Sequence, residues 1–203
     1  MIRLGILSDV HATAAPVAEA LVRFRQAGVA RILCPGDIAG YGEELEATIQ
    51  LLKDARCLAT QGNHDRWYIE RSRQRQESSQ DYLAALPREV HLTVAGVRLY
   101  MVHAHPPDSL MGGIRLWDEA GEPLADARQV WAGRLAGFPY EVLVVGHTHQ
   151  IIHERLAATL VINPGSSLFN HACGILTLPE MLYEVIGLSG RRPIKVWRWG
   201  QAE

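Results

Sequence analysis

Five short segments of this chain carry residues that bind divalent cations: Asp9-Val-His11, Asp37, Asn63-His64-Asp65, His103-Ala-His105 and His147-Thr-His149. Six of the nine histidines fall within them, a concentration that scattered polar histidines would not produce. Carboxylate oxygen, amide oxygen and imidazole nitrogen form a mixed donor set. Such a set suits Mn, Fe, Zn, Co or Ni better than the all-oxygen sites of Mg or Ca. Asp37 is the residue around which the others are arranged, because its two carboxylate oxygens can each take one cation. Read alone, an aspartate after Pro35-Gly36 could instead cap the helix that begins near Glu43 or accept from turn amides. The donors outnumber what one tetrahedral ion uses, so two ions are expected. If these segments are extended, alternation points both members of an X-x-X pair the same way. Asp9 with His11, and His147 with His149, would then each grip one ion together.

The elements that must position these residues can be read from periodicity. Ile2 to Leu7 is an apolar run ended by Ser8-Asp9. Val17, Leu21 and Phe24 follow helical spacing after Pro16, with Gly28 as the stop. Arg31 to Cys34 predicts a second strand, and Leu45, Ile49 and Leu52 a second helix. Cys57 to Thr60 predicts a third strand, closing on Gln61-Gly62-Asn63. Strands alternating with helices imply a parallel sheet, whose functional groups gather beyond the carboxyl ends of the strands. Residues 66 to 89 read as helical with a loose middle, and Arg71-Ser-Arg-Gln-Arg75 as a solvated face.

Val90 to Val94 and Val97 to Val102 flank Ala95-Gly96, a hairpin signal. Residues 106 to 123 hold a Gly pair and no periodicity, so a long loop is expected, with Arg115 its only cation and Trp117 its only large aromatic. Ala125 to Ala136 predicts a helix and Val142 to Val145 a buried strand. Further strands are expected over Ile151 to Leu156, Leu160 to Ile162, Gly174 to Leu178, Leu182 to Ile186 and Ile194 to Trp197. Trp117, Trp131, Trp197 and Trp199 read as core or lid packing rather than as partner-facing residues.

Composition narrows the classes. With 203 residues and no linker, residues 1–203 are expected to form one domain. Hydrophobic residues make up 48%, charged residues 21%, and the net charge is −2 with both signs interspersed. No basic face is implied, so non-specific binding to nucleic acid is not expected. Cys34, Cys57 and Cys173 are odd in number and widely spaced, which implies no disulfide framework. The N-terminal run reaches Asp9 too soon for a signal peptide, and no apolar run approaches membrane-spanning length, so a cytoplasmic protein is expected.

Taken in order, Asp9-x-His11, Gly36-Asp37 with Tyr41-Gly42, Gly62-Asn-His-Asp65, His103 and Gly146-His-Thr-His149 resemble the motif set of the calcineurin-like metallophosphoesterases. The resemblance runs over roughly residues 4 to 166. It includes Asn163-Pro-Gly-Ser166, which is similar to the segment after the last ligands in the small bacterial phosphodiesterase branch. It implies an α/β fold of four αββα layers, two mixed β-sheets packed face to face with helices outside. It also implies a dinuclear centre, with Asp9, His11, Asp37 and His149 on one metal and Asp37, Asn63, His103 and His147 on the other. Mn²⁺ is the first expectation, with Fe, Zn, Ni or Co as alternatives. The protein-phosphatase branch has Asp and Arg where this chain has Gly40 and Tyr41, which favours small phosphodiesters or phosphomonoesters as substrates.

Two such cations, roughly 3.5–4 Å apart, would share a hydroxide that attacks phosphorus. His64 would be the general acid for the leaving alkoxide, and Asp65 would orient its imidazole. Arg115 is expected to contact substrate, and His105 to lie near the site without binding metal. Two alternatives stand beside this reading: a nuclease of the same fold, and a non-catalytic metal-binding scaffold such as the retromer subunit that resembles it.

Overall fold

The computed structural model describes residues 1–71 and 78–198. Arg73, Arg75 and Trp199 lie outside the described residues. The chain opens with β1 (Ile2–Ile6), α1 (Ala14–Gln26), β2 (Arg31–Cys34), α2 (Leu45–Asp54) and β3 (Leu58–Ala59). Two helices follow, α3 (Asn63–Arg71) and α4 (Ser78–Ala84), and then the antiparallel pair β4 (Glu89–Val94) and β5 (Val97–Val102). The remainder is α5 (Ala127–Arg134), β6 (Val142–Val144), β7 (Ile152–Leu156), β8 (Thr159–Asn163), β9 (Ala172–Leu178) and β10 (Leu182–Gly187).

These strands make two mixed five-stranded sheets, ordered β10-β9-β1-β2-β3 and β4-β5-β6-β8-β7. β1, β2 and β3 run parallel, as the alternation of strand and helix requires, while β9 joins β1 antiparallel. Side-chain alternation explains the stacking. Leu4 and Ile6 of β1, Leu99 and Met101 of β5, and Val142 and Val144 of β6 all enter the core between the sheets. Their sequence neighbours Tyr100, Val102, Leu143 and Val145 turn to the far face of the second sheet, where Trp131 of α5 and Trp117 cover them. On the opposite outer face Val17, Ala20 and Phe24 of α1 and Ile49 and Leu52 of α2 cover Cys34, Cys173 and Ile175 of the first sheet. Two inner apolar faces and two covered outer faces require four layers. Among the described residues, five helices flank the two sheets.

Expected and observed elements differ at some boundaries and in one element. Ile194 to Trp197 is not a strand: Gln150 and Val196 form an isolated bridge. The segment still runs beside residues 149–151, with Trp197 N donating to His149 O (3.1 Å) and Ile151 N to Lys195 O (2.8 Å). His149 has φ 49°, a left-handed backbone that a regular ladder cannot pass through. Trp117 and Trp131 are buried in the core beneath the second sheet. The stretch from Pro106 to Pro123 is indeed without helix or regular strand. Among the described residues no helix is long and apolar enough to cross a membrane.

Candidate metal centre

The loops after β1, β2, β5 and β6, together with the first turn of α3, bring the candidate donors to one place at the strand ends. The way each loop aims its side chains departs from the alternation expected of extended backbone. Asp9, His11, Asp37, His147 and His149 have φ of 50°, 47°, 54°, 66° and 49°. Aspartate and histidine tolerate this left-handed region better than most residues, yet each instance still costs on the order of 1–3 kcal/mol. Backbone bonds between neighbouring loops hold the conformation: Asp9 N to Gly36 O (3.1 Å), His11 N to Asp37 O (3.0 Å) and Ala12 N to Ile38 O (2.7 Å). Ser166 Oγ donates to Asp9 O at 2.6 Å, and Asn163 Nδ2 donates to Gly146 O at 2.7 Å. The Asn163-Pro-Gly-Ser166 segment thus ties the first and last donor loops together.

Two groups of donor atoms result. In one, His11 Nε2 and His149 Nε2 lie 3.2 Å apart, and Asp9 Oδ1 lies 3.3 Å from His149 Nε2. In the other, Asn63 Oδ1 lies 2.9 Å from His103 Nε2 and 2.8 Å from His147 Nδ1, while Asp37 Oδ1 lies 3.4 Å from His103 Nε2. Asp37 also meets His11 and His64 in a third grouping, with all donor atoms within 4.8 Å of one another. The loop backbone sets which ring nitrogen faces inward. His103 Nδ1 bonds to Pro35 O (2.7 Å) and His11 Nδ1 to Ala39 O (3.2 Å), so in each ring Nε2 faces the cluster, where a neutral ring presents its lone pair. Donor atoms this close need a proton or a metal cation between them. The donor set fits divalent metal ions.

The charges say the same. Asp9 and Asp37 are almost wholly buried, which is costly for carboxylates without counter-charge. Burial works against the charged form of each, but the surrounding histidines prevail and keep both carboxyl groups below the usual range. Burial also disfavours a charged His103, yet Asp37 and Asp9 prevail and lift it to about 9. His11 and His147 are pushed down to about 4, chiefly by burial. Their rings are therefore neutral, as ligands must be.

His64 is half-buried at the edge of the cluster, its ring 4.9 Å from those of His11 and Tyr41 and 4.8 Å from that of Trp67. Asp65, expected to orient it, does something else. Its Oδ1 accepts from Ala39 N (2.7 Å) and its Oδ2 from Gly62 N (2.8 Å), so both oxygens are committed to backbone. The carboxylate braces the Asp37 loop against the start of α3, in the manner of an acidic residue in a helix's first turn. Asp37 does accept from a helix amide, but from His64 N of α3 rather than from the helix after Glu43.

His105 turns away from the cluster, its Nδ1 bonded to Pro106 O at 2.8 Å and its ring 5.7 Å from that of Trp131. Arg115 is exposed and lines a separate cavity, with Thr148 and Trp197, that none of the candidate metal donors borders. Neither is brought to the donor groups.

Gly62 and Gly40 are required by close approach. A Cβ on Gly62 would stand 2.1 Å from Asp37 Oδ1, and one on Gly40, whose φ is 151°, would stand 2.3 Å from His11 Nδ1. The aspartate found at the Gly40 position in the protein-phosphatase branch could not be placed here without moving His11. Tyr41 and Trp67 flank His64. Tyr41 stood in the motif set without an assigned role, and Trp67, next to Tyr68 in a helical stretch, carried no signal that it would reach the site.

The sequence profile of the calcineurin-like phosphoesterase superfamily domain matches residues 2–173. The chain belongs to that superfamily. Among solved structures, this chain is similar to a hypothetical protein of Pyrococcus horikoshii, at 16% identity and TM-score 0.74 over 96% of this chain and 90% of the other. An archaeal phosphodiesterase shares 19% identity and TM-score 0.62, over 92% and 100% of the two chains. At these identities the likeness is one of fold. An uncharacterized protein of Methanocaldococcus jannaschii is 34% identical over 62 residues, which is 30% of this chain and 26% of that protein.

Proposed function

We propose that this protein hydrolyses small phosphoesters at a two-cation centre, with Asp37 shared between the cations. One observation carries the reading. Asp37 belongs to the donor group containing His103 and His147 and also to the one containing His11 and His64. A carboxylate so placed is positioned to join two ions. Asp9, His11 and His149 complete one site, and Asn63, His103 and His147 the other. Divalent cations held by these residues would supply charge neutralisation for phosphoryl oxygens and a lowered pKa for water. Manganese is the proposed metal and the cytoplasm the proposed compartment.

The chain's own residues would do the rest. His64 stands at the open edge of the cluster, where a leaving oxygen would emerge, and it is the proposed general acid. Burial lowers its pKa while Asp37 and Asp9 pull the other way. A phosphoester anion beside the ring adds negative charge, which favours the protonated imidazole that an acid must be. Asp65 and the Pro35 and Ala39 carbonyls hold the loops in register.

The experiment is to purify the protein, measure its metals, strip and restore them, and assay mono-, di- and cyclic phosphoesters. Hydrolysis lost on chelation and regained with Mn²⁺ is expected. Hydrolysis that persists in verified metal-free protein, or no hydrolysis of any ester by the metal-replete protein, would overturn the reading. The second result would favour a scaffold.

A further inference from the structure

A cavity of about 420 Å³ opens beside the candidate centre, bordered by Asn63, Arg66 and Trp67 of α3, Arg88 just before β4, and residues 108–111 of the long loop. The helix explains the arrangement. Positions 63, 66 and 67 are spaced i, i+3 and i+4, so the candidate ligand Asn63, the Trp67 ring and the Arg66 side chain share one face. Trp67 is 39% exposed, an unusual position for the largest apolar side chain, and its ring also flanks His64. Arg66 is engaged by Glu70 at 2.9 Å. Arg88 is not neutralised in this way: its Nη2 donates to the Asp108 carbonyl at 2.9 Å, a neutral group. Its Nε is buried and makes no hydrogen bond. The cavity therefore offers an aromatic surface next to the proposed acid and, across from it, a guanidinium with a donor to spare. Its volume falls in the range of small-ligand pockets and suits a nucleoside.

We infer that this cavity holds the leaving half of the substrate, and that this half is a nucleotide: a base against Trp67 and a second phosphate on Arg88. This rests on the phosphoester reading above and narrows its substrate class. Arg88 offers the planar, multi-donor geometry that phosphate accepts best, and Trp67 can stack any base face. Asp108 at the rim makes the mouth less positive, so selectivity would come from the half-buried Arg88 guanidinium rather than from a general basic field.

Direct binding tests this separately from turnover. Metal-replete protein is titrated calorimetrically with adenosine 3′,5′-bisphosphate, adenosine 5′-monophosphate and ribose 5-phosphate, with recovery of intact ligand checked. The bisphosphate should bind about tenfold tighter than the monophosphate, the worth of one charge-assisted hydrogen bond. Arg88→Ala should abolish that difference, and Arg88→Lys should keep part of it. Trp67→Ala should weaken both adenosine ligands by about tenfold relative to ribose 5-phosphate, with Trp67→Phe closer to the parent. Equal affinity for the two adenosine ligands in the parent protein would overturn the inference, as would a difference that survives Arg88→Ala. Because binding is read directly, the two failures are distinguishable: loss of the Arg88-dependent discrimination overturns this inference, while a protein that discriminates but hydrolyses no ester overturns the phosphoester reading and with it the leaving-group role of the cavity.

Discussion

The backbone amide of His64 donates to Asp37 Oδ1 across 2.8 Å. The proposed acid is thus tied through its main chain to the proposed bridging carboxylate, while its imidazole is left at the edge of the donor cluster. Removing the His64 ring should therefore leave the donor cluster standing.

His64→Ala should keep its full metal complement and lose roughly 10²–10⁴ in rate on alkyl phosphoesters, whose alkoxide departs only with a proton. The loss on p-nitrophenyl esters should be much smaller, since nitrophenolate is a weak base. Rates on both substrate types, measured on variant protein of known metal content, check this. Equal losses on both would remove His64 from the chemistry.

Asp65 should behave as a brace. Asp65→Ala leaves the buried Ala39 and Gly62 amides without acceptors, at about 1–3 kcal/mol each. At about 2–4 °C of melting temperature per kcal/mol in a chain of this size, a fall of several degrees is expected. Asp65→Asn keeps one acceptor and should fall less. Thermal melts decide between brace and orienter: an Asp65→Ala protein of parental stability that loses activity selectively on alkyl esters would restore the orienting role.

The sequence and the structure part company at this same loop. Strand periodicity and the motif positions at strand ends were legible, because alternation of apolar residues is a local property, and the four-layer stacking was implied by the family resemblance. The role of Asp65 was not legible, since its partners are backbone amides from residues 39 and 62 that only the fold brings near. The left-handed turns at Asp9, His11, His147 and His149 were hidden for a similar reason. No residue type announces them, and contacts between loops over-determine them. Ile194 to Trp197 has the alternation of a strand, but the His149 turn beside it interrupts the ladder. Arg66 and Trp67 lay in a stretch that read as polar helix, and their cavity depends on Arg88 and the loop at 108–111.

Metal binding should release protons in a pH-dependent way. In the metal-free protein His103 stays protonated up to about 9, held by Asp37 and Asp9 against the cost of burial. Ligation needs its Nε2 lone pair, so binding at pH 7.5 must expel that proton, and apparent affinity should climb as pH rises toward 9 and then level off. His11 and His147, neutral down to about 4, add no release in that window. Calorimetry in buffers of different ionisation enthalpy counts the protons. A value near zero at pH 7.5 would contradict the account of His103.

Gly40 should be irreplaceable for one donor group. In Gly40→Ala the new Cβ starts 2.3 Å from His11 Nδ1, so the ring must move and lose its bond to the Ala39 carbonyl. The group of Asp9, His11 and His149 should weaken first, and metal content should drop toward one per chain while the fold persists. Elemental analysis with circular dichroism tests this, and two metals retained at parental affinity would count against His11 as a ligand.

The central claim is that Asp37 joins two cation sites, and anomalous diffraction from crystals grown with Mn²⁺ tests it most directly. Two peaks per chain are expected, both within bonding distance of the Asp37 carboxylate. One should be reached by Asp9, His11 and His149, and the other by Asn63, His103 and His147. A single peak, or two peaks of which Asp37 touches only one, would contradict it.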